Sequence, residues 1–358
     1  LVQALYNIVD SIFVAQLSEN ALTAVSMAFP IQNLMIGMAT GIGVGMNAFV
    51  SKNLGQHNQE GVNKSALHGI FLELINYLIF LCIGLFVVNK FMKTQTNIAE
   101  IVDSGTTYLR IVCICSFGIF TQVSFERLLQ STGKTLLSMT TQLTGAIINI
   151  ILDPILIFGL FGMPKLGIAG AAIATVIGQI VAGTFAVILN LKKNKEIHLH
   201  LKGFRLEKEY LGRILYVGIP SVLMVAIGSV MSYGMNLILM TFSSTAVAVF
   251  GAYYKLQSFV FMPIFGLNNG MVPIVSFNLG ARNKERLVKT IKLSICYAVG
   301  IMLIGLVIIQ AIPGPLLKMF NASEQMLSIG IPALRIISVS FVFAGFSIIA
   351  SSTFQALG

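Results

Sequence analysis

The chain has 358 residues, of which 56% are hydrophobic and only 10% are charged, and its formal net charge is +10. Soluble domains carry about 25% charged residues, so this composition excludes a soluble globular protein and indicates one that crosses a membrane many times. A basic excess can also indicate a nucleic-acid partner, but the distribution of the positive charges argues against one.

Apolar segments long enough to cross about 30 Å of hydrocarbon recur along the whole chain. Hydropathy predicts about ten membrane-spanning helices, at 1–17, 21–50, 66–92, 105–130, 134–161, 166–191, 210–240, 245–278, 288–312 and 329–358. The predicted fold class is therefore an all-α polytopic membrane protein. Because the first helix opens abruptly and no polar tail follows the last, we expect the natural protein to extend beyond both ends.

Lysines and arginines concentrate in alternate loops of this prediction. The basic loops are 51–65, 127–134, 192–213 and 282–292, whereas the loops between them hold only Lys90, Lys93, Lys165 and Lys318. The positive-inside rule places the basic loops in the cytoplasm. We therefore expect a multi-pass protein of the cell (plasma or inner) membrane, whose positive charge sets its orientation and implies no nucleic acid.

The chain is an internal repeat with an offset of 225 residues. Val50-Ser-Lys-Asn-Leu-Gly-Gln-His-Asn58 matches Val275-Ser-Phe-Asn-Leu-Gly-Ala-Arg-Asn283 at six of nine positions. The same offset, without gaps, pairs Gly41 with Gly266, Lys64 with Lys289, and Leu109-Arg-Ile111 with Leu334-Arg-Ile336. An offset that spans six helices gives both halves the same orientation, which is a parallel repeat about an axis along the membrane normal.

The repeat predicts three regions. They are an N-terminal lobe at 1–191 with helices one to six, the first truncated, a cytoplasmic linker at 192–213, and a C-terminal lobe at 214–358 with helices seven to ten. Two further helices would complete two six-helix lobes, or twelve helices in all. Two such lobes around a midplane site are typical of transporters that work by alternating access.

Two carboxylates lie inside apolar segments, Asp10 within 6–14 and Asp153 within 144–158. A carboxylate at membrane depth costs about 2.5–3.5 kcal/mol on insertion scales, so it usually binds an ion or relays a proton. Asn149 shares a helical face with Asp153, and Pro154 leaves a backbone carbonyl free. The alternatives are that Asp153 hydrogen-bonds a neighbouring helix and that Asp10 lies near the membrane surface.

Four other charged residues allow more than one interpretation. Glu73 lies about two turns inside the third helix, and it is either functional or extended toward the cytoplasmic surface. Glu126 and Arg127 are expected to form a surface pair at a helix end. Lys255 lies far from any loop, and it either pairs with an acid or lines a cavity.

Substrate contacts are predicted from the paired second and eighth helices. The 16 methionines and 25 phenylalanines supply adaptable apolar surface, which suits varied ligands but also ordinary packing. The candidate cavity residues are Tyr6, Gln32, Asn33, Met35, Tyr253, Lys255, Gln257 and Met262. Gly133-Lys-Thr135 lacks the first glycine of a phosphate-binding loop, so we expect an ion gradient, and no nucleotide or other cofactor, to drive transport.

Four motifs give the chain a family resemblance. They are Tyr6-Asn-Ile-Val-Asp10-Ser-Ile-Phe-Val14, Ser51-Lys-Asn-Leu-Gly55, Asn149-Ile-Ile-Leu-Asp-Pro154 and Gly167-Ile-Ala-Gly-Ala-Ala-Ile-Ala-Thr175. Over its whole length the chain resembles MATE (multidrug and toxic compound extrusion) transporters. It looks most like the bacterial branch whose cation site lies in the N-terminal lobe.

The resemblance implies a cation site at Asp10, Asn149, Asp153, the main-chain oxygen of Ala171, and Thr175. Of these, Asp10, Asn149 and Asp153 would hold Na⁺ if that is the coupling ion, and no other metal is expected. It also implies an antiporter, acting as a monomer in the lipid bilayer, that exports small organic compounds, mostly cationic or amphipathic, in exchange for H⁺ or Na⁺.

Two other functions fit a membrane protein of this composition less well. A flippase for lipid-linked saccharide precursors would be expected to line its cavity with several Arg or Lys, and Lys255 is the only clear one here. A membrane-embedded enzyme would need a polar cluster such as paired Asp motifs or a His-Glu zinc site. Three of the four histidines lie in or beside predicted cytoplasmic loops, so we predict that the protein is not an enzyme.

Overall fold

The structure is a computed structural model, and it describes residues 13–14, 16–199, 204–319 and 322–358. Every regular element in these ranges is a helix, so the predicted all-α class is confirmed. Eight helices are long and apolar enough to cross a membrane, and a ninth span arises if one bent pair is counted together.

The first seven helices run from the beginning of the described chain to the linker. They are α1 (Glu19–Gly55), α2 (Gln59–Cys82), α3 (Val88–Gln95), α4 (Ala99–Ile114), α5 (Phe117–Ser131), α6 (Thr135–Phe158) and α7 (Ile168–Lys193). A π-helical turn at Ile83–Val87 joins α2 to α3, and the three together form one span. A short 3₁₀ helix at Leu160–Gly162 follows α6.

Six helices follow the linker. They are α8 (Lys208–Met240), α9 (Ser244–Gly280), α10 (Lys284–Ala311), α11 (Pro313–Lys318), α12 (Glu324–Ser338) and α13 (Ser340–Leu357). The predicted spans correspond to these elements, except that residues 1–12 of the first one lie outside the described chain.

Two predicted helices are broken in the structure. The predicted span 105–130 consists of α4 and α5, which are bent by 46° around residues 115–116. The predicted span 329–358 is divided between α12 and α13 at Val339. Neither break contains Gly or Pro, so the sequence pattern does not reveal it. The two breaks fall within two residues of equivalent positions of the repeat, since Val339 corresponds to Ile114.

The predicted basic loops are too long. The chain between α1 and α2 is only residues 56–58, that between α5 and α6 is 132–134, and that between α9 and α10 is 281–283. The chain between the helices at the predicted linker 192–213 is residues 194–207, because α7 ends at Lys193 and α8 begins at Lys208. Most of the basic residues of these regions therefore lie on helices and not in the loops between them.

The repeat seen in the sequence has equivalent hydrogen bonds in the structure. Ser51 donates its hydroxyl to the Ser131 carbonyl at 3.0 Å, and Ser276 donates to the Ala356 carbonyl at 2.8 Å. Each bond joins residues 80 positions apart, and the two bonds are themselves 225 positions apart. The two halves therefore fold alike around this brace.

The helix starts repeat as well. The Asn58 side chain accepts from the Gly61 N–H at 3.0 Å, and Asn283 accepts from the Arg286 N–H at 3.1 Å. Such caps satisfy backbone donors that the first turn of a helix leaves free. The residue before each cap has a left-handed backbone, with φ of 56° at His57 and 54° at Arg282.

The described residues form two compact units. The first unit runs from the beginning of the described chain to Ala226, and the second unit runs from Ile227 to Leu357. The division lies inside α8, because the first half of that helix packs against α1. An added Cβ at Gly45 would lie 2.4 Å from the Ile214 carbonyl oxygen, and one at Gly41 would lie 2.9 Å from that of Gly218. Contacts thus assign residues 208–226 to the first unit, while the repeat assigns them to the second half, and the lobe boundaries stay a prediction.

The linker is attached to the start of α2 through His68, which is fully buried. The imidazole Nδ1 lies 2.7 Å from the Lys64 carbonyl oxygen, and Nε2 accepts from the Glu207 N–H at 2.9 Å. The ring also lies edge-on to Phe204 of the linker, with the ring centroids 4.9 Å apart. Lys64 forms an ion pair with Glu207 at 2.7 Å, so the linker contacts the first unit through both polar and aromatic groups.

Candidate cation-binding site

Close packing of α6 against α7 positions the candidate cation site. An added Cβ at Gly178 on α7 would lie 2.8 Å from the Gly145 carbonyl oxygen and 3.3 Å from the Asn149 Cβ. One at Gly170 would lie 2.4 Å from the Leu156 carbonyl oxygen. Small residues let membrane helices approach until their backbones touch. The glycines therefore bring the polar side chains of α6 and α7 within reach of each other.

Asn149, Asp153 and Thr175 meet at this contact. Their exposed fractions are 3%, 0% and 8%, so all three are buried. The Asn149 amide Nδ2 is 3.3 Å from the Asp153 Oδ1 and 3.3 Å from the Thr175 Oγ1, and it donates a hydrogen bond to each. The helix α6 continues through Pro154, so Asn149 and Asp153 stay one turn apart on the same face.

The side-chain amide oxygen of Asn149 is the atom of the site that is free to bind a ligand. This Oδ1 is buried and has no hydrogen-bond partner among the described residues. Leaving a buried acceptor unsatisfied costs about 1–3 kcal/mol, so such an atom in a folded protein calls for a partner. A carboxylate, an amide oxygen and a hydroxyl are ligands that suit a hard cation or a proton.

The other predicted cation ligands are only partly described. Ala171 lies on α7 one turn before Thr175, is fully buried, and donates its N–H to the Gly167 carbonyl at 3.3 Å. Asp10 and Tyr6 lie outside the described residues. In the described part of the chain no three His, Cys, Asp or Glu side chains gather as a metal site.

The predicted substrate residues fall into two groups. In the first unit Gln32 is half-buried and donates to the Tyr108 hydroxyl at 3.0 Å, Asn33 is half-buried, and Met35 packs in the hydrophobic core at 2% exposure. In the second unit Tyr253 packs in the core, Gln257 and Met262 are half-buried, and Lys255 is exposed. Their grouping around one cavity stays a prediction.

The prediction of a surface pair at Glu126 and Arg127 is wrong. Glu126 is 5% exposed, and its carboxylate accepts hydrogen bonds from Gln122 at 2.9 Å, Thr141 at 3.0 Å and Gln142 at 2.8 Å. Arg127 is half-buried, and its aliphatic stem lies against Gly43 of α1. Glu73 is 2% exposed and therefore does not extend to the surface.

A signal for this burial was present in the sequence. Polar residues at Gln122, Glu126 and Gln130 recur every four positions and so share one face of α5. A polar stripe on a helix this apolar indicates a buried network. The hydrogen bond from Gln130 to Ser138, at 2.9 Å, extends the network to α6.

Comparison with known families gives one match over most of the chain. The family model described as MatE matches residues 1–155 and 220–358. Among curated relatives, the multidrug export protein MepA of Staphylococcus haemolyticus is 27% identical over 359 residues, which cover 100% of this chain and 78% of that protein. MepA of Staphylococcus aureus is 26% identical over 366 residues, with the same coverage.

Solved structures show the same likeness. A multidrug resistance MATE family transporter of the MOP superfamily, in an outward-facing conformation, is 28% identical with a TM-score of 0.93. The match covers 100% of this chain and 79% of that one. A MOP superfamily transporter from Pyrococcus furiosus, described as having a binding pocket of reverse polarity, is 28% identical with a TM-score of 0.92, covering 99% and 79%.

Proposed function

Because the chain belongs to the MatE family, the multidrug and toxic compound extrusion transporters, we propose that it exports organic compounds in exchange for H⁺ or Na⁺. The family resemblance seen in the sequence is thereby confirmed, and the protein is a transporter and not an enzyme. The coupling ion and the mechanism of alternating access are the proposed part.

The buried Asn149 oxygen carries the proposal. It lies beside Asp153 and Thr175, and it has no hydrogen-bond partner in the described part of the chain. A cation entering this site would be bound by the Asp153 carboxylate and by the oxygens of Asn149 and Thr175. The Asn149 Nδ2, which donates to the other two side chains, would hold them in place around the ion. Asp10 would complete the site.

Coupling follows if the ion binds the two conformations of the transporter with different affinity. Binding the ion neutralises the Asp153 charge and favours the state that releases the exported compound. By linkage, that compound lowers the affinity for the ion by the same factor. Occupancy by ion and compound would thus alternate, which is the condition for exchange.

The exported compounds are proposed to be organic and mostly cationic or amphipathic. The relatives named as multidrug export proteins support this substrate class. The candidate contacts remain Tyr6, Gln32, Asn33, Met35, Tyr253, Lys255, Gln257 and Met262. We propose that the protein acts as a monomer in the cell membrane, with the basic helix ends in the cytoplasm.

Ethidium flux in proteoliposomes tests the coupling. The full-length protein would be given a pH gradient alone and then a Na⁺ gradient alone, as wild type, Asp153→Asn and Asp103→Asn. Asp103 is exposed on α4 and undergoes the same chemical change outside the site. We expect one gradient to drive flux in wild type and Asp103→Asn, and the flux to be lost in Asp153→Asn.

Two results would contradict this proposal. Gradient-driven flux that Asp153→Asn leaves unchanged would remove Asp153 from the coupling step. Absence of flux under either gradient would favour the alternative flippase, and transfer of a labelled lipid-linked saccharide across the bilayer would then be measured.

A further inference from the structure

The first unit contains a second group of buried charges, apart from Asn149 and Asp153. Glu73 on α2 is 2% exposed, and Glu126 on α5 is 5% exposed. Arg127 follows Glu126 and interacts electrostatically with both carboxylates. We call Glu73, Glu126 and Arg127 the charged triad. The Glu126 partners on α6 precede Asn149 by about two turns, roughly 10 Å along the helix axis.

The two carboxylates of the triad are satisfied to different degrees. Both oxygens of Glu126 accept hydrogen bonds, from Gln122, Thr141 and Gln142. In Glu73 the Oε2 accepts from Asn76 Nδ2 at 3.0 Å. The Glu73 Oε1 is buried and has no hydrogen-bond partner within the described residues. Glu73 is therefore the less well compensated acid of the two.

The formal charges of the triad do not cancel. With both acids ionised, two carboxylates face one guanidinium, and the sum is −1. Within the described chain, Arg127 is the one charged group that interacts electrostatically with Glu73. The other charged residues on helices packed against α2 are Glu19 and Lys52 on α1, Glu100, Asp103 and Arg110 on α4, and Lys208, Glu209 and Arg213 on α8. A buried charge without compensation is costly, so neutralisation is favoured.

The internal repeat supplies a control within the same chain. At the offset of 225, Glu73 corresponds to Ala298, Glu126 to Ser351 and Arg127 to Ser352. Ala298 is fully buried and Ser352 is 4% exposed, so the equivalent contact closes without any charge. Packing of these helices therefore does not require the triad. Its presence in the first unit alone indicates a role other than folding.

We propose that Glu73 binds a proton, which makes the charged triad a proton-binding site distinct from the Asn149–Asp153 site. When Glu73 carries the proton, Glu126 is the single counter-charge of Arg127, and the triad is neutral. It also replaces a buried ion at Glu73 by a neutral acid, which is far less costly to keep out of water. The proposal concerns a bound proton and is independent of what the protein transports.

Infrared spectroscopy detects this proton directly, because a protonated carboxylic acid has a carbonyl stretch that a carboxylate lacks. The full-length protein in lipid nanodiscs would be measured at neutral pH in the Asp10→Asn, Asp153→Asn background, which removes any signal from the two acids of the candidate cation site. We expect the acid band to be present there, to disappear on adding Glu73→Gln, and to persist on adding Glu285→Gln. Glu285 is exposed on α10 and provides the matched carboxyl control.

Thermal unfolding of the same proteins gives a second readout. Gln has the shape and charge of protonated Glu, so we expect Glu73→Gln to melt at the same temperature as Glu285→Gln. If Glu73 were instead ionised, the change would remove its attraction to Arg127 and leave its buried hydrogen bond from Asn76 without a charged acceptor, so the melting temperature would fall. A Glu73→Gln protein that is strongly destabilised or fails to fold would therefore overturn the proposal.

Two further outcomes reassign the site. If Glu126→Gln removes the acid band and Glu73→Gln leaves it, the proton belongs to Glu126 and the proposal is overturned. If no acid band is seen, and Na⁺ stabilises the wild type but not Glu73→Gln, the triad binds a metal cation and the proton is excluded.

Discussion

Thr175 contributes a single hydroxyl to the candidate cation site, and that hydroxyl accepts a hydrogen bond from Asn149 at 3.3 Å. Removing it with Thr175→Val keeps the shape of the side chain. We expect the apparent affinity for the coupling ion to fall by roughly tenfold, because one hydrogen bond or ligand contact is worth about 1–1.5 kcal/mol. The ion concentration for half-maximal ethidium flux measures this change.

The same helix offers the control for that measurement. Thr184→Val makes the identical change at an exposed position of α7, where the hydroxyl donates only to the Ile180 carbonyl. Its ion affinity is expected to equal that of wild type. Equal affinities for Thr175→Val and Thr184→Val would exclude the Thr175 hydroxyl from the site.

The residue patterns predicted part of the site. The spacing of Asn149 and Asp153 placed both on one face of α6, which the structure shows, since helical spacing is a local property. The burial of Glu126 and Arg127 was missed, because the polar stripe of α5 does not say which residues cover it; Thr141 of α6 and Gly43 of α1 do so in the structure. The lack of a hydrogen-bond partner at the Asn149 Oδ1 could not be predicted from the sequence, because it depends on which groups surround that atom in the fold.

The distance between two packed helices is set by the residues at their contact, and α6 and α7 are in contact at Gly145 and Gly178. We expect Gly178→Ala to destabilise the protein by about 1–3 kcal/mol, because the new Cβ would lie 2.8 Å from the Gly145 carbonyl oxygen. The helices must separate, so the affinity for the coupling ion should fall too. Thermal unfolding and the ion dependence of flux measure the two effects.

A glycine without neighbours gives the opposite expectation. An added Cβ at Gly300 on α10 has no heavy atom within 4 Å in the described structure. Gly300→Ala should leave stability unchanged or raise it by up to about 1 kcal/mol, since Ala favours the helix. If both variants behave alike, close contact between α6 and α7 is not what holds the site together.

Helix boundaries could be predicted where the hydropathy of the sequence changes. They could not be predicted where the helix breaks within apolar sequence. The ends of α7 and α9 agree within a few residues with the predicted 166–191 and 245–278. The breaks at residues 115–116 and at Val339 lie inside uninterrupted apolar sequence, so hydropathy merged two helices there.

Across the whole molecule, the parallel repeat predicts which side of the membrane each turn faces. Gln56 and Ala281 occupy equivalent exposed turns at the basic helix ends, whereas Asn97 and Phe161 are exposed in turns of the opposite side. Single cysteines at these positions, in a protein without its four native cysteines, would be labelled by a membrane-impermeant reagent. We expect Gln56→Cys and Ala281→Cys to react only from the cytoplasm.

The other two positions complete that measurement. Asn97→Cys and Phe161→Cys should react only from the outer side. Labelling of Gln56→Cys and Ala281→Cys from opposite sides would mean that the two halves are inverted, and the parallel repeat would be wrong.

The duplicated brace at Ser51 and Ser276 bears on how the protein arose. The 225-residue repeat is what a copied segment of six predicted membrane crossings would leave, and an even number of crossings lets both copies enter the membrane the same way. Such a fusion would leave the basic residues of both halves on the same side of the membrane. The helix caps and the brace are present in both halves. Glu73 and Arg127 are replaced by Ala298 and Ser352 in the second half, so the charged triad distinguishes two halves that share their caps and brace.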